Sequence, residues 1–155
     1  MKTERLPTVA ASLALFLAPL CAAAQDSEEA MLQEAHDQFV EAVTGMDFER
    51  LGNMFAEGAV YQPATGELLQ GREEIREWYE QANFTSMNVE GTYSERLGDD
   101  MLLDLGSFSA TVSRGEQDQE IRGGYVTVAE IDGDSVLIRS LTAFPERNMQ
   151  MPPAN

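Results

Sequence analysis

The chain of 155 residues carries 27 acidic side chains against 10 basic ones, for a formal net charge of −17. Such a surface repels nucleic acid and anionic lipid, which sets both partner classes aside. The single cysteine, Cys21, excludes an internal disulfide, and a chain that has lost it holds neither a thiolate nucleophile nor a cysteine metal site.

Lys2 and Arg5 precede an apolar run from Val9 to Leu20 that ends in Cys21-Ala22-Ala23-Ala24. A basic start, a short hydrophobic core and an Ala-x-Ala end predict a secretory signal peptide over 1–24, cleaved after Ala24. The run is shorter than the roughly 20 apolar residues that a membrane span needs. Leu20 stands where a lipidation site has a small residue, so the leader is read as cleaved rather than lipid-anchored. The mature protein is therefore expected in the periplasm or outside the cell, free of the membrane. It is read as one domain over 25–145 and a flexible tail over 146–155.

From Ser27 to about Thr44, Met31, Leu32, Ala35, Phe39, Val40 and Val43 recur at three and four, which predicts an amphipathic helix with Glu28 and Glu29 in its first turn. Gly45 ends it. Asp47 suits the N-cap of a second helix that holds Phe48, Leu51, Met54 and Phe55 and closes at Gly58. A short strand, Ala59-Val60-Tyr61, breaks at Pro63 and turns through Thr65-Gly66. A third helix then starts after Gly71, with Glu73 and Glu74 near its positive end and Ile75, Trp78 and Tyr79 on one apolar side.

Beyond Phe84 the period changes from helical spacing to alternation. Strands are predicted over Val89–Leu97, Met101–Val112, Glu120–Ile131 and Val136–Phe144, joined by Gly98-Asp99-Asp100, by a hairpin over Arg114–Asp118 and by Asp132-Gly133-Asp134. In the second of these, Leu103 and Leu105 share one face, and Leu102, Phe108, Ala110 and Val112 the other. Three helices followed by a long meander make an α+β domain, in which a curved antiparallel sheet wraps the helices and leaves a conical cavity.

This order resembles the nuclear transport factor 2-like superfamily, in its SnoaL-like and ketosteroid-isomerase-like branch. The residues that carry the resemblance are Gly45-Met46-Asp47, Phe55-Ala56-Glu57-Gly58-Ala59-Val60, Pro63, Gly71-Arg72-Glu73-Glu74-Ile75 and Asp132-Gly133-Asp134, within a span from about Glu28 to Phe144. It implies the cone-shaped, cystatin-like fold. It does not fix an activity, because that scaffold hosts isomerases, dehydratases, cyclases, epoxide hydrolases and plain binders. Ketosteroid isomerases place a general-base aspartate just before the proline that follows the first strand; here that residue is Gln62. Their helix tyrosine and late-strand aspartic acid fall on Phe39 and close to Tyr125, so isomerisation by that mechanism is not expected. Members often dimerise through the open sheet face, which implies a homodimer with Leu102, Phe108, Ala110 and Val112 as the apolar patch.

The candidate catalytic residues are His36, Tyr61 and Tyr125. His36 is the only histidine and lies at the edge of the first helix's apolar stripe, where it is either a general base oriented by Asp104 or a structural or solvated side chain. Tyr61, Gln62, Trp78 and Tyr125, with Phe39, suit a hydrophobic ligand that carries one carbonyl or hydroxyl. Arg122, before Gly123-Gly124, either binds a carboxylate or answers the acidic surface. Asp99-Asp100 and Asp132-Gly133-Asp134 lack the spacing of a calcium loop. No phosphate loop, zinc motif or nucleophile elbow is present, so neither metal nor cofactor is expected.

The resulting expectation is a secreted domain that binds a small hydrophobic molecule, with any chemistry being acid–base and cofactor-free. The alternative is a non-catalytic binding or homodimeric assembly module. A polar, enclosed cavity with His36, Gln62 and Tyr125 converging favours the first; a cavity filled by its own side chains favours the second.

Overall fold

A computed structural model describes residues 19–146, with side chains described from Ser27 onward. Residues 1–18 of the expected leader, and the expected tail from Arg147 onward, lie outside the described residues.

Helix α1 spans Pro19–Thr44 and so begins well before Ser27. Its first position is a proline, whose fixed φ suits a helix start, and Ala22-Ala23-Ala24 are the best helix formers, so nothing stops the helix upstream. It closes where the amide of Gly45 donates to Glu41 O at 2.8 Å and Met46 turns left-handed at φ 56. The carboxylate of Asp47 accepts from the amide of Arg50 at 3.1 Å and caps α2, Phe48–Asn53.

Met54 and Phe55 do not continue that helix. Strand β1 runs over Phe55–Gln62, and the amide of Ile138 donates to Met54 O at 2.9 Å. Sheet pairing here outweighs helical spacing, and Gly58 lies in an irregularity of the ladder between Phe55 and Val60 rather than at a helix end. A two-residue strand β2, Leu69–Gln70, pairs back on Val60 and Tyr61. Helix α3, Arg72–Ala82, follows Gly71, whose φ of 87 favours glycine, and ends at Asn83 in the left-handed region. The guanidinium of Arg72 donates twice to Phe55 O, at 2.9 and 2.7 Å, and pins α3 to the start of β1.

Strand β3 (Phe84–Arg96) starts five residues earlier and ends one residue sooner than the alternating stretch read from the sequence, and β4 (Met101–Arg114), β5 (Gln117–Asp132) and β6 (Ser135–Pro145) extend beyond theirs, because ladder pairing sets the ends. The curved sheet has the order β2-β1-β6-β5-β4-β3. All neighbours are antiparallel except β1 and β6, which run parallel.

The concave face holds the core, with Phe55, Leu51, Ile75, Leu102 and Val43 fully buried. The apolar patch expected on the open face lies here instead. Leu102, Ala110 and Val112 are 1%, 2% and 8% exposed, and Phe108 lines the cavity with Val112. The bend of the sheet decides this, since its concave side is the one the helices can cover. Leu103 and Leu105 therefore point away from the helices.

Candidate active site

Helices and concave sheet enclose a cavity of ≈890 Å³, within the size range of small-molecule sites. Its buried end holds three polar side chains from three elements. His36 comes from α1, Asp104 from β4 and Tyr125 from β5. His36 Nε2 lies 2.7 Å from Asp104 Oδ2, Tyr125 Oη donates to the same Oδ2 at 3.0 Å, and Oη and Nε2 are 3.1 Å apart. Three heteroatoms thus form a nearly equilateral triangle in a place where Asp104 is only 3% exposed.

The sheet makes room for this triangle with glycine. Gly91, Gly106 and Tyr125 stand in one row across β3, β4 and β5. A Cβ on Gly106 would lie 2.6 Å from Tyr125 Oη and 2.1 Å from Glu90 O. One on Gly91 would come within 3.1 Å of His36 Cε1. Any other residue at Gly106 would displace the tyrosine, so the cradle exists only because two side chains are missing.

Burial, then the charge of Asp104 and the hydrogen bond to it, hold the Tyr125 hydroxyl well above the ordinary tyrosine range. It is a donor and not a base. His36 Nδ1 is buried without a hydrogen-bond partner, so the histidine works through Nε2 alone. A 2.7 Å contact between Nε2 and Oδ2 needs one hydrogen between them. Among the described residues no group of three or more His, Cys, Asp or Glu is placed to hold a metal ion.

The family model for a SnoaL-like domain matches residues 36–139. The chain belongs to the SnoaL-like domain family. No curated protein matches it. Solved structures similar to this SnoaL-like domain include a candidate dehydratase of the nuclear transport factor 2-like family from Streptomyces avermitilis, at 17% identity, covering 79% of this chain and 99% of that one with a TM-score of 0.66. A ketosteroid isomerase-like protein from Erwinia carotovora atroseptica aligns at 12% identity over 77% of this chain and 97% of its own, with a TM-score of 0.68. A candidate scytalone dehydratase from Novosphingobium aromaticivorans aligns at 11% over 79% and 89%, also with a TM-score of 0.68. At such identities the likeness is one of fold.

Within this SnoaL-like domain the remaining candidates separate. Tyr61, Phe39 and Trp78 line the cavity but belong to an aromatic wall, not to the triangle. Tyr61 stacks on Tyr79 with centroids 5.4 Å apart and planes 8° apart, and Trp78 meets both edge-on. Phe39 meets Tyr79 edge-on at 5.7 Å. Burial raises the Tyr61 hydroxyl far above the ordinary range, although a hydrogen bond from Tyr79 opposes it, so Tyr61 serves as a wall residue.

Gln62 leaves the site. Alternation along β1 turns Tyr61 inward and Gln62 outward, and the exposed Gln62 amide donates to Gly66 O at 3.3 Å. Arg122 reaches the rim of the cavity and is tied to Glu120 through bonds of 2.6 and 2.9 Å. Sequence reasoning did not single out Gly91, Gly106 or Tyr79. Glycine inside an alternating strand was a visible signal for the first two, but what faces it depends on register.

Proposed function

We propose that this domain binds a small hydrophobic molecule bearing a carbonyl and moves a proton on it without a cofactor. The observation that carries the reading is the His36–Asp104–Tyr125 triangle at the buried end of an open, largely apolar-walled cavity. In this reading Asp104 takes a proton from the carbon beside the carbonyl, held in place by His36 Nε2–H. The electron pair moves onto the carbonyl oxygen, where the Tyr125 hydroxyl donates to it. Return of the proton at another carbon gives isomerisation, and its delivery to a β-hydroxyl gives loss of water. The apolar surroundings strengthen both interactions. A cavity left unfilled by its own side chains supports this reading over the assembly module, while the apolar walls and the outward turn of Gln62 depart from the polar, enclosed site expected of an enzyme.

Because every isomerase or lyase of this type passes through carbon deprotonation, the test needs no knowledge of the natural substrate. Apolar bicyclic and straight-chain ketones in D2O, followed by proton NMR, should exchange their α-hydrogens faster with the protein. Asp104→Asn should lower that acceleration by about 10²- to 10⁴-fold. No acceleration on any ketone, or full acceleration by Asp104→Asn, would overturn the proposal.

The proposal includes a periplasmic or secreted mature form that starts at Gln25 and pairs as a homodimer through the convex face of the sheet. Leu103, Leu105, Val126 and Val128 support the pairing, since they stand in register on the side turned away from the helices. Native mass spectrometry of the protein from its own compartment measures the start, the dimer and any retained ligand together.

A further inference from the structure

We infer that the ligand is an amphipathic anion, with its apolar body in the cavity and a carboxylate on Arg114 at the rim. The inference rests on the reading above, that the cavity takes a small molecule.

In a chain with a net charge of −17, the described residues of the cavity wall and rim include only two acids, Glu67 and Asp104. Both are already engaged, Glu67 by the indole of Trp78 and Asp104 within the triangle. Most of the surface repels an anion, whereas two arginines, Arg114 and Arg122, reach this opening. The arginines point the same way. Arg50, Arg76, Arg96, Arg122 and Arg139 each pair with a carboxylate, and Arg72 binds Phe55 O. Among the described residues, Arg114 is the arginine whose side chain has neither a hydrogen bond nor an ion pair, although Glu116 and Asp118 lie in the same hairpin.

Its place is fixed by the strand. Arg114 is the last residue of β4, two positions after Val112 and therefore on the concave side, and Gly115 at φ 69 turns the chain directly behind it. Arg122 lies in register with Ser109, on the opposite parity, and is held by Glu120. Both arginines reach the opening, and Arg114, on the concave side by parity, is the one with free donors. A guanidinium presents its donors as a planar fork that matches a carboxylate.

The experiment loads the protein with N-phenyl-1-naphthylamine, a neutral apolar fluorophore, and displaces it at neutral pH with decanoate or with 1-decanol. Decanoate should compete about fivefold better than decanol, the size expected for one exposed charge pair. Arg114→Gln should erase that preference while leaving decanol unchanged, and Arg122→Gln should preserve it. Circular dichroism of both variants confirms that each surface substitution leaves the fold intact. Equal competition by decanoate and decanol in the wild type, or a preference that survives Arg114→Gln, overturns the inference and leaves the cavity reading standing. If none of the three molecules binds, the cavity reading falls, and this inference with it.

Discussion

The buried end of the cavity and its aromatic wall both enclose tyrosines, yet they handle the phenol group in opposite ways. At the buried end, the Tyr125 hydroxyl donates a hydrogen bond to a carboxylate oxygen that also faces an imidazole. In the wall, Tyr61 and Tyr79 stack face to face, and the Tyr79 hydroxyl hydrogen-bonds to Tyr61. Loss of water suppresses ionisation in all three. Burial therefore does not distinguish a site tyrosine from a packing tyrosine. The partner of the hydroxyl does.

The largest effect that can break this contrast comes from removing one oxygen at each place. Tyr125→Phe should cost about 10²- to 10³-fold in ketone exchange, the usual loss for one donor aimed at a developing oxyanion, with a stability change of only about 1 kcal/mol. Tyr79→Phe should leave the exchange rate unchanged while altering stability by a similar amount. Exchange rates with thermal denaturation of both variants decide the matter, and equal rate losses would erase the distinction between the two regions.

A second, smaller effect tests what the two regions share. Each of the three tyrosines titrates higher folded than unfolded, so the unfolded chain ionises first as the pH climbs. The stability that comes from keeping them protonated is complete below the ordinary tyrosine value near 10 and is lost as the pH rises past it toward the folded values. Thermal midpoints should fall steadily above that pH. Phenolate absorbance should show Tyr93, exposed and raised chiefly by Glu95, titrating before the buried three. Ionisation of the buried tyrosines while the protein stays folded would contradict the suppression.

How much of this could be read from the chain follows the same division. The α+β order, the Asp47 cap and the Gly71 start of α3 are local features, and alternation beyond Phe84 was enough to predict the strands. The pairing of His36 with Asp104 is suggested by side-chain chemistry alone, because parity groups Asp104 with Leu102 and Ala110 on the face expected to be open. Tyr125 is a candidate from the resemblance, and register places it opposite Gly106, where its hydroxyl meets the pair. Register also moved Leu102, Ala110 and Val112 from the open face to the core, since parity separates two faces but does not say which one the sheet bends toward. Phe55 was misread for a related reason. Its helical spacing is real, but a parallel partner at Ile138, far along the chain, claims its backbone.

The smallest expected effect sharpens the contrast at the mouth, where the wall ends. The indole of Trp78 donates to Glu67, and hydrogen bonds from Thr65 and then Trp78 hold the Glu67 carboxyl below the ordinary glutamate range. A carboxyl depressed in this way contributes stability above its unfolded value, and that contribution is lost as the pH falls through the lower folded one. Glu67 is exposed, so the whole contribution is about 0.5 kcal/mol or less. The optical signal is larger than the energy, because Trp78 is the only tryptophan in the chain. Its emission should shift as the pH drops below about 4.3. Glu67→Gln keeps an acceptor but cannot titrate, and should remove that shift without altering ketone exchange. A shift that persists in the variant would mean that the indole reports some other acid. A changed exchange rate would mean that the mouth and the triangle are coupled, and the two regions could no longer be treated as separate parts.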